Sequence, residues 1–200
     1  MRQKTEAKRQ AILAAAGAVF REHGFETSSV SDIAARVGGS KATIYSYFPS
    51  KEALLMEVIL SAAETRSVTV FSEVLALGDV VTGLRRIGEA HLSFISTAEA
   101  VALARLAITA GERSTLGREF YTRGPLVMIE NLAAFLAASI ARDELRPGDP
   151  RQMAESLKAL YEAGIVERHL LGDLKGLEGV DLAVHAAQAV DIFLAYYGKA

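Results

Sequence analysis

Cysteine and tryptophan are both missing from this chain of 200 residues, and only four prolines interrupt it. Without cysteine there can be no disulfide, no thiolate-held zinc and no thiol nucleophile. That absence is compatible with the cytoplasm, where the protein is expected to work. Aromatics make up 7% of the residues while half of all residues are hydrophobic, a balance dominated by Ala and Leu. Sheets favour β-branched and aromatic residues, so this composition suits stacked helices. No uninterrupted run reaches the roughly 18 apolar residues of a membrane-spanning helix, and no membrane partner is expected. The apolar run from Ala11 to Phe20, preceded by Arg2, Lys4, Lys8 and Arg9, has the outline of a signal peptide. It is alanine-rich, however, and continues in helical period into Arg21-Glu22-His23. The four histidines, His23, His91, His169 and His185, have no ligand spacing, and neither a phosphate loop nor a Ser–His–Asp cue is present. Catalysis, metal and cofactor are therefore not expected.

What is present is an uneven distribution of charge. Residues 1–51 hold eight Lys and Arg against four Asp and Glu, whereas residues 52–200 hold fourteen against twenty. A basic head on an acidic body suits a polyanionic partner for the head.

Hydrophobic spacing predicts helix after helix. The first runs from about Lys4 to His23 on the stripe Ile12, Ala16, Val19 and Phe20, with Gly24 as its stop. Ser29 and Asp32 form a capping box, in a weaker version because the third position prefers Glu or Gln. A short helix follows with Val30, Ile33, Ala34 and Val37 inward. Gly38-Gly39-Ser40 breaks it, a second short helix covers Lys41 to Phe48, and a long one starts at Lys51. Gly78-Asp79 opens a helix with Val80, Leu84, Ile87, His91 and Ile95 on one face. Ser96 and Glu99 read as a capping box for a helix over about 97–112. A stretch over about 115–142 is interrupted at Gly124-Pro125. Asp149-Pro150 starts a helix over about 150–171, and a last one covers about 181–197. The chain reads as all-α.

Two short helices meeting at a glycine turn over residues 29–48 are the pattern of a helix-turn-helix. In that unit the second helix enters the major groove of DNA, so it needs one apolar edge and one small, polar or basic edge. Ile44 and Phe48 supply the first; Lys41, Thr43, Ser46 and Tyr47 are expected on the second. Ala42 and Ser46 are small enough for close approach to base edges, and Tyr45 divides between core and phosphate.

The run from Ile33 to Leu54, Ile-Ala-Ala-Arg-Val-Gly-Gly-Ser-Lys-Ala-Thr-Ile-Tyr-Ser-Tyr-Phe-Pro-Ser-Lys-Glu-Ala-Leu, resembles the signature of TetR-family regulators. Ile12, Ala15, Phe20, Gly24, Phe25 and Thr27 stand where that family has its first-helix core and turn, so the resemblance covers about residues 5–60. It implies a three-helix DNA-binding domain over 1–50 and a helical effector-binding and dimerisation domain over 51–200. Lys41, Thr43, Tyr45 and Tyr47 match positions that contact bases and phosphates, and Lys51 matches a phosphate-contacting lysine at a helix start. Val30 and Ser31 fall where the second helix approaches the operator, and Arg2, Lys4 and Lys8 where the chain end reaches phosphate or minor groove. Gly39 departs from the family, which usually has an apolar residue there, and is expected to loosen the turn.

The C-terminal part is similar to AefR-like members around Glu112–Tyr121, Gly124-Pro125 and Ala141–Arg146. The family implies an effector cavity within residues 80–142, with His91, Phe94, Phe120, Tyr121, Met128, Phe135 and Tyr161 as candidate lining for a small hydrophobic or aromatic molecule. It also implies a homodimer built on the last two helices, with Ala154, Leu157, Tyr161, Gly164 and Ile165 on one and Ala186, Ala189, Val190, Phe193 and Tyr197 on the other. The expected function is a ligand-responsive repressor on a palindromic double-stranded operator. Control by a protein partner, or a helical enzyme, are the alternatives.

Overall fold

Thr5 opens the first helix: its backbone is extended and its side chain accepts from the Lys8 N–H, starting α1 at Glu6–His23. The computed structural model describes residues 5–111 and 114–199, and the expected DNA contacts of Arg2 and Lys4, like the Glu112 end of the AefR-like stretch, fall outside them. Ten further α-helices follow among the described residues: α2 Val30–Val37, α3 Lys41–Tyr47, α4 Lys51–Leu77, α5 Val80–Ile95, α6 Ala98–Ala110, α7 Leu116–Arg123, α8 Pro125–Ala141, α9 Pro150–Glu162, α10 Val166–Leu171 and α11 Leu182–Tyr197. The described residues contain no strand, and a lone bridge joins Leu145 to Gly198. The all-α reading holds.

Contacts divide the chain into two units. One comprises the chain up to Ala62 with Ala98–Gly117; the other comprises Ala63–Thr97 and Arg118–Ala200. The helix α4 runs through both. In the first unit α1 packs on α2 and on α6, and α2 packs on α3. Its core is built from Ile12, Ala16 and Phe20 of α1, Ile33 of α2, Ile44 of α3, and Leu54 and Leu55 of α4.

In the second unit α9 packs against α8, α5 and α11, and α11 against α5. Leu84 and Ile87 meet Leu132 and Phe135, Leu157 and Tyr161, and Val190 and Phe193 in one core. At Gly88, α5 and the Tyr161 side chain of α9 approach closely. A Cβ placed on Gly88 would lie 2.5 Å from the Tyr161 ring. Glycine at 88 leaves room for the edge of that ring beside α5, with its hydroxyl donating to the Leu84 carbonyl at 2.7 Å.

Several boundaries differ from the sequence reading. Ser96 does not cap α6. It is used as the last turn of α5, in helical backbone geometry with its N–H bonded to the Leu92 carbonyl, so it lacks the extended conformation an N-cap requires. Its buried hydroxyl has no hydrogen-bond partner among the described residues. The helix expected over 150–171 is two helices, because Gly164 takes a left-handed turn (φ 72°) between α9 and α10. The break at Gly124-Pro125 is real: Gly124 precedes α8 and Pro125 takes its first turn, where a missing N–H costs nothing.

The run 116–141 reaches a mean hydropathy of 1.6 over an 18-residue window, which is the length and composition of a bilayer span. Charged Arg118, Glu119, Arg123 and Glu130 interrupt it. Ile129, Leu132, Phe135 and Leu136 of the same run are core residues of the second unit.

The faces expected to join two protomers are turned inward instead. Ala154, Leu157, Tyr161, Ile165, Ala186, Ala189, Val190 and Phe193 are all buried within one chain. Small residues on α9 and α11 serve their own close packing. Gly164 forms the exposed turn, and Tyr197 stacks on Phe193 at 4.8 Å.

Candidate nucleic-acid interface

The turn that aims α3 is fixed by backbone hydrogen bonds. Gly38, left-handed at φ 65°, donates to the Ala35 carbonyl, and Gly39 donates to the Ala34 carbonyl at 2.9 Å. Together these close the last turn of α2 in a Schellman arrangement. Ser40 then caps α3 by accepting from the Thr43 N–H at 3.1 Å. At the other end of α2 the capping box is complete: Ser29 accepts from Asp32 N–H, and the Asp32 carboxylate accepts from Ser29 N–H at 3.0 Å. Hydrogen bonds from Ser29 hold the Asp32 carboxyl below its ordinary range.

Gly39 therefore sits in a bonded turn, and its backbone is outside the left-handed region. A Cβ there would meet Val37 at 3.6 Å and Thr43 at 3.9 Å, ordinary contact distances. Gly39→Ala is expected to raise stability by about 0.4–1 kcal/mol through loss of unfolded-state freedom. Urea unfolding of the two proteins measures it; a destabilised variant would show that the turn requires glycine.

On α3, Ile44 and the following Phe48 are buried, while Lys41, Ala42, Tyr45 and Ser46 are exposed. Thr43 and Tyr47 are half-buried at the flanks. The two tyrosines thus exchange the roles expected of them. Tyr45 is the outward one, 49% exposed. Tyr47 lies beside Phe48, and its hydroxyl accepts the Thr5 N–H at 3.0 Å. Helical geometry explains the exchange: three residues beyond Ile44 returns close to the same face, whereas one residue beyond turns away by about 100°. Ser31 is half-exposed at the start of α2, and Val30 beside it is buried in the core.

The cations of this unit are mostly committed to the protein itself. The Lys51 ammonium donates to the carbonyls of Phe25 (2.8 Å), Glu26 (3.4 Å) and Ser28 (3.1 Å), and lies 4.3 Å from the centre of the Phe25 ring. All three of its donors are engaged, so it clasps the α1–α2 loop and has no donor left for a phosphate. Lys8 donates to the Val37 carbonyl at the end of α2. Arg9 pairs with Glu57 and stacks over Phe48. Arg36 forms a two-pronged pair with Glu22 at 2.6 and 2.7 Å. Among the described residues up to position 51, Lys41 and Arg21 alone keep a cation without a hydrogen bond or ion pair. The sequence surplus of positive charge thus narrows, on α3, to Lys41.

The seven residues nominated as effector lining are dispersed. Tyr161 and Phe135 are core. His91 is bonded to Glu162 at 2.8 Å, and Lys158 meets the other carboxylate oxygen at 2.7 Å. Tyr121 is exposed, and Phe94, Phe120 and Met128 are half-buried. An open groove of about 500 Å³ runs in the second unit over α4, α5 and the start of α11, and none of the seven lines it.

Burial raises the Glu162 carboxyl pKa, but the His91 hydrogen bond and charge, with Lys158, outweigh it and hold the group below its ordinary 4.5. A depressed folded pKa means stabilisation that is present above 4.5 and lost as pH falls through the lower folded value. The advantage of wild type over Glu162→Gln is therefore expected to shrink on acidification below about pH 4.5, as read by urea unfolding across pH. A gap that stays constant would remove the carboxylate from the account.

Residues 12–58 match the bacterial regulatory proteins of the tetR family, and residues 82–199 match the C-terminal domain of AefR-like transcriptional repressors. The HTH-type transcriptional regulator YdeS of Bacillus subtilis (strain 168), itself uncharacterized, is 42% identical over 65 residues, 32% of this chain and 33% of its own. The match thus spans a third of that relative's length. A transcriptional regulator of Mesorhizobium loti MAFF303099 assigned to the TetR family is similar in structure over 98% of this chain and 100% of its own, at TM-score 0.82 and 28% identity. The flavonoid-responsive regulator FrrA aligns over 97% and 98% at TM-score 0.64 and 29% identity.

Proposed function

Because the chain belongs to the TetR family of bacterial regulatory proteins, with an AefR-like C-terminal domain, we propose that it is a ligand-responsive repressor acting as a dimer on a palindromic operator. It is a DNA-binding transcriptional regulator by family. The observation that carries the DNA-reading assignment is the division of α3: Ile44 and Phe48 inward, Lys41, Ala42, Tyr45 and Ser46 outward. Lys41 and Tyr45 reach phosphates and base edges, while Ala42 and Ser46 permit close approach. Thr43 and Tyr47 touch from the flanks and Ser31 from the start of α2. Val30 and Lys51 act from behind, as core and as loop clasp. DNA reading falls to residues 1–50, and effector binding and dimerisation to 51–200, in the cytoplasm where the operator lies.

The dimer face is the one that the monomer core leaves out. Val184, Gln188, Ile192 and Tyr196 repeat every four residues along α11 and are exposed, Ile192 to 60% and Tyr196 to 72%. Leu171, exposed on α10, adds to the apolar surface offered. A self-complementary patch of this kind closes a two-fold dimer and places two copies of α3 on successive major grooves, about 34–36 Å apart. The effector is a small hydrophobic or aromatic molecule, a reading that the flavonoid-responsive relative supports. It acts by favouring a spacing of the two reading heads that the operator does not match.

Selection of bound fragments from a random DNA library tests the proposal. Enrichment of a palindrome with half-sites one helical turn apart is the expected result. Enrichment of no sequence would overturn it.

A further inference from the structure

We propose that the groove between α4 and α5 binds a small zwitterion, an organic molecule whose carboxylate and ammonium stand about 6 Å apart along the groove. This site is separate from the seven residues nominated as effector lining. Only its link to regulation rests on the effector reading above.

Both walls follow the same rule. Residues 66, 69, 70 and 73 of α4 and residues 86, 89, 90 and 93 of α5 line the groove, each set spaced as one face of a helix. Near the Gly78-Asp79 link, Glu73 and Arg86 form a loose pair at 3.7 Å, which closes that end electrostatically. The other two charges are left open. Neither Arg66 nor Glu89 has a side-chain hydrogen bond or ion pair among the described residues.

Their positions follow from helix rise. Measured from the Glu73–Arg86 contact, Arg66 lies seven residues along α4 and Glu89 three residues along α5, about 10.5 and 4.5 Å away. Val70, Ala90 and Leu182 line the groove and give an apolar bed to a methylene chain. Arg66 and Ser93, each seven residues from the pair, offer donors to a carboxylate. Glu89 accepts an ammonium.

The lining has two positive and two negative groups, so an ion of one sign gains at one end what it loses at the other. A dipolar ligand answers both open charges at once. The groove is also built on α4, the helix that begins at Lys51, so an occupant bears on the same helix that carries the loop clasp.

The test uses the full-length protein without DNA and three probes: 6-aminohexanoate, hexanoate and hexylamine. Titration calorimetry is expected to show 6-aminohexanoate binding at least about tenfold more tightly than either singly charged probe, as charge-assisted hydrogen bonds at both ends imply. Arg66→Gln is expected to lower it to the level of hexylamine, and Glu89→Gln to the level of hexanoate, with Arg118→Gln as an unaffected surface control. All three positions are on the protein surface or partly so, and circular dichroism verifies folding. No saturable binding, equal affinity for the three probes, or unchanged affinity in both groove variants would overturn the site. Because no DNA is present, failure here leaves the operator reading standing, and failure of operator binding leaves this result standing.

Discussion

Tyr161→Ala is expected to cost about 3–5 kcal/mol of stability, the range for removing a large buried ring. Tyr161 has no exposed surface, and its ring joins α9 to α5 at a point where the α5 side contributes only the hydrogen of Gly88. Removing it leaves a cavity in the middle of the core shared by α5, α8, α9 and α11, which the surrounding structure can fill only in part. Two companion substitutions separate the contributions. Tyr161→Phe keeps the packing and loses the hydroxyl that donates to the Leu84 carbonyl, a change of about 1 kcal/mol. Gly88→Ala keeps the ring but forces a methyl within 2.5 Å of it, for which overpacking predicts a cost of about 1–3 kcal/mol. Urea unfolding of the three variants is expected to show the largest loss for Tyr161→Ala, a smaller one for Gly88→Ala and the smallest for Tyr161→Phe. A loss below about 1 kcal/mol for Tyr161→Ala would mean that this contact does not hold the second unit together.

Ile192→Glu is expected to separate the proposed dimer without unfolding the protomer. Ile192 is exposed in the single chain, so glutamate there is well hydrated and the fold has no reason to suffer. Across a two-fold axis every substitution appears twice, and two added carboxylates would be desolvated in one interface. A protomer carries one reading helix, so its grip on a palindrome reduces to a half-site. Operator affinity is expected to drop by about a hundredfold or more, since the second half-site adds an effectively intramolecular contact. Sedimentation velocity and operator titration on the same preparation check both parts. A variant that sediments as a dimer would move the interface elsewhere.

The parts of the fold governed by local chemistry were legible in the sequence. Ser29 with Asp32, Gly38, Asp79, Asp149 with Pro150 and the Gly124-Pro125 break act through groups within a few residues of themselves, and the structure has each where the residues put it. Ser96 misled because the same serine chemistry serves the end of one helix or the start of the next, and the choice depended on how far α5 continued. Gly164 reads as one more small residue on a helix face, because the apolar period runs on either side of its turn.

What the sequence did not reveal depends on which of two apolar faces finds a partner within the chain. On α11, Ala186, Ala189, Val190 and Phe193 form one stripe and Val184, Ile192 and Tyr196 another. Both are apolar, and only tertiary packing distinguishes them. At the reading head the helix wheel already held the information that Tyr45, rather than Tyr47, faces out, since Tyr47 follows Ile44 by three. The engagement of Lys51 with three carbonyls was beyond sequence reasoning, because those carbonyls lie 23 to 26 residues away in a loop. His91 is legible as a polar group on an apolar stripe, but what it bonds is not. Its partner, Glu162, is 71 residues distant.

Operator affinity of the Lys41→Ala, Tyr45→Ala double variant measures most directly whether α3 is the surface that meets DNA. Both side chains are exposed, so unfolding midpoints should match wild type while affinity for the selected palindrome falls by about a hundredfold, with a shallower dependence on salt as a phosphate contact is lost. Wild-type affinity and an unchanged salt slope in the folded double variant would contradict it.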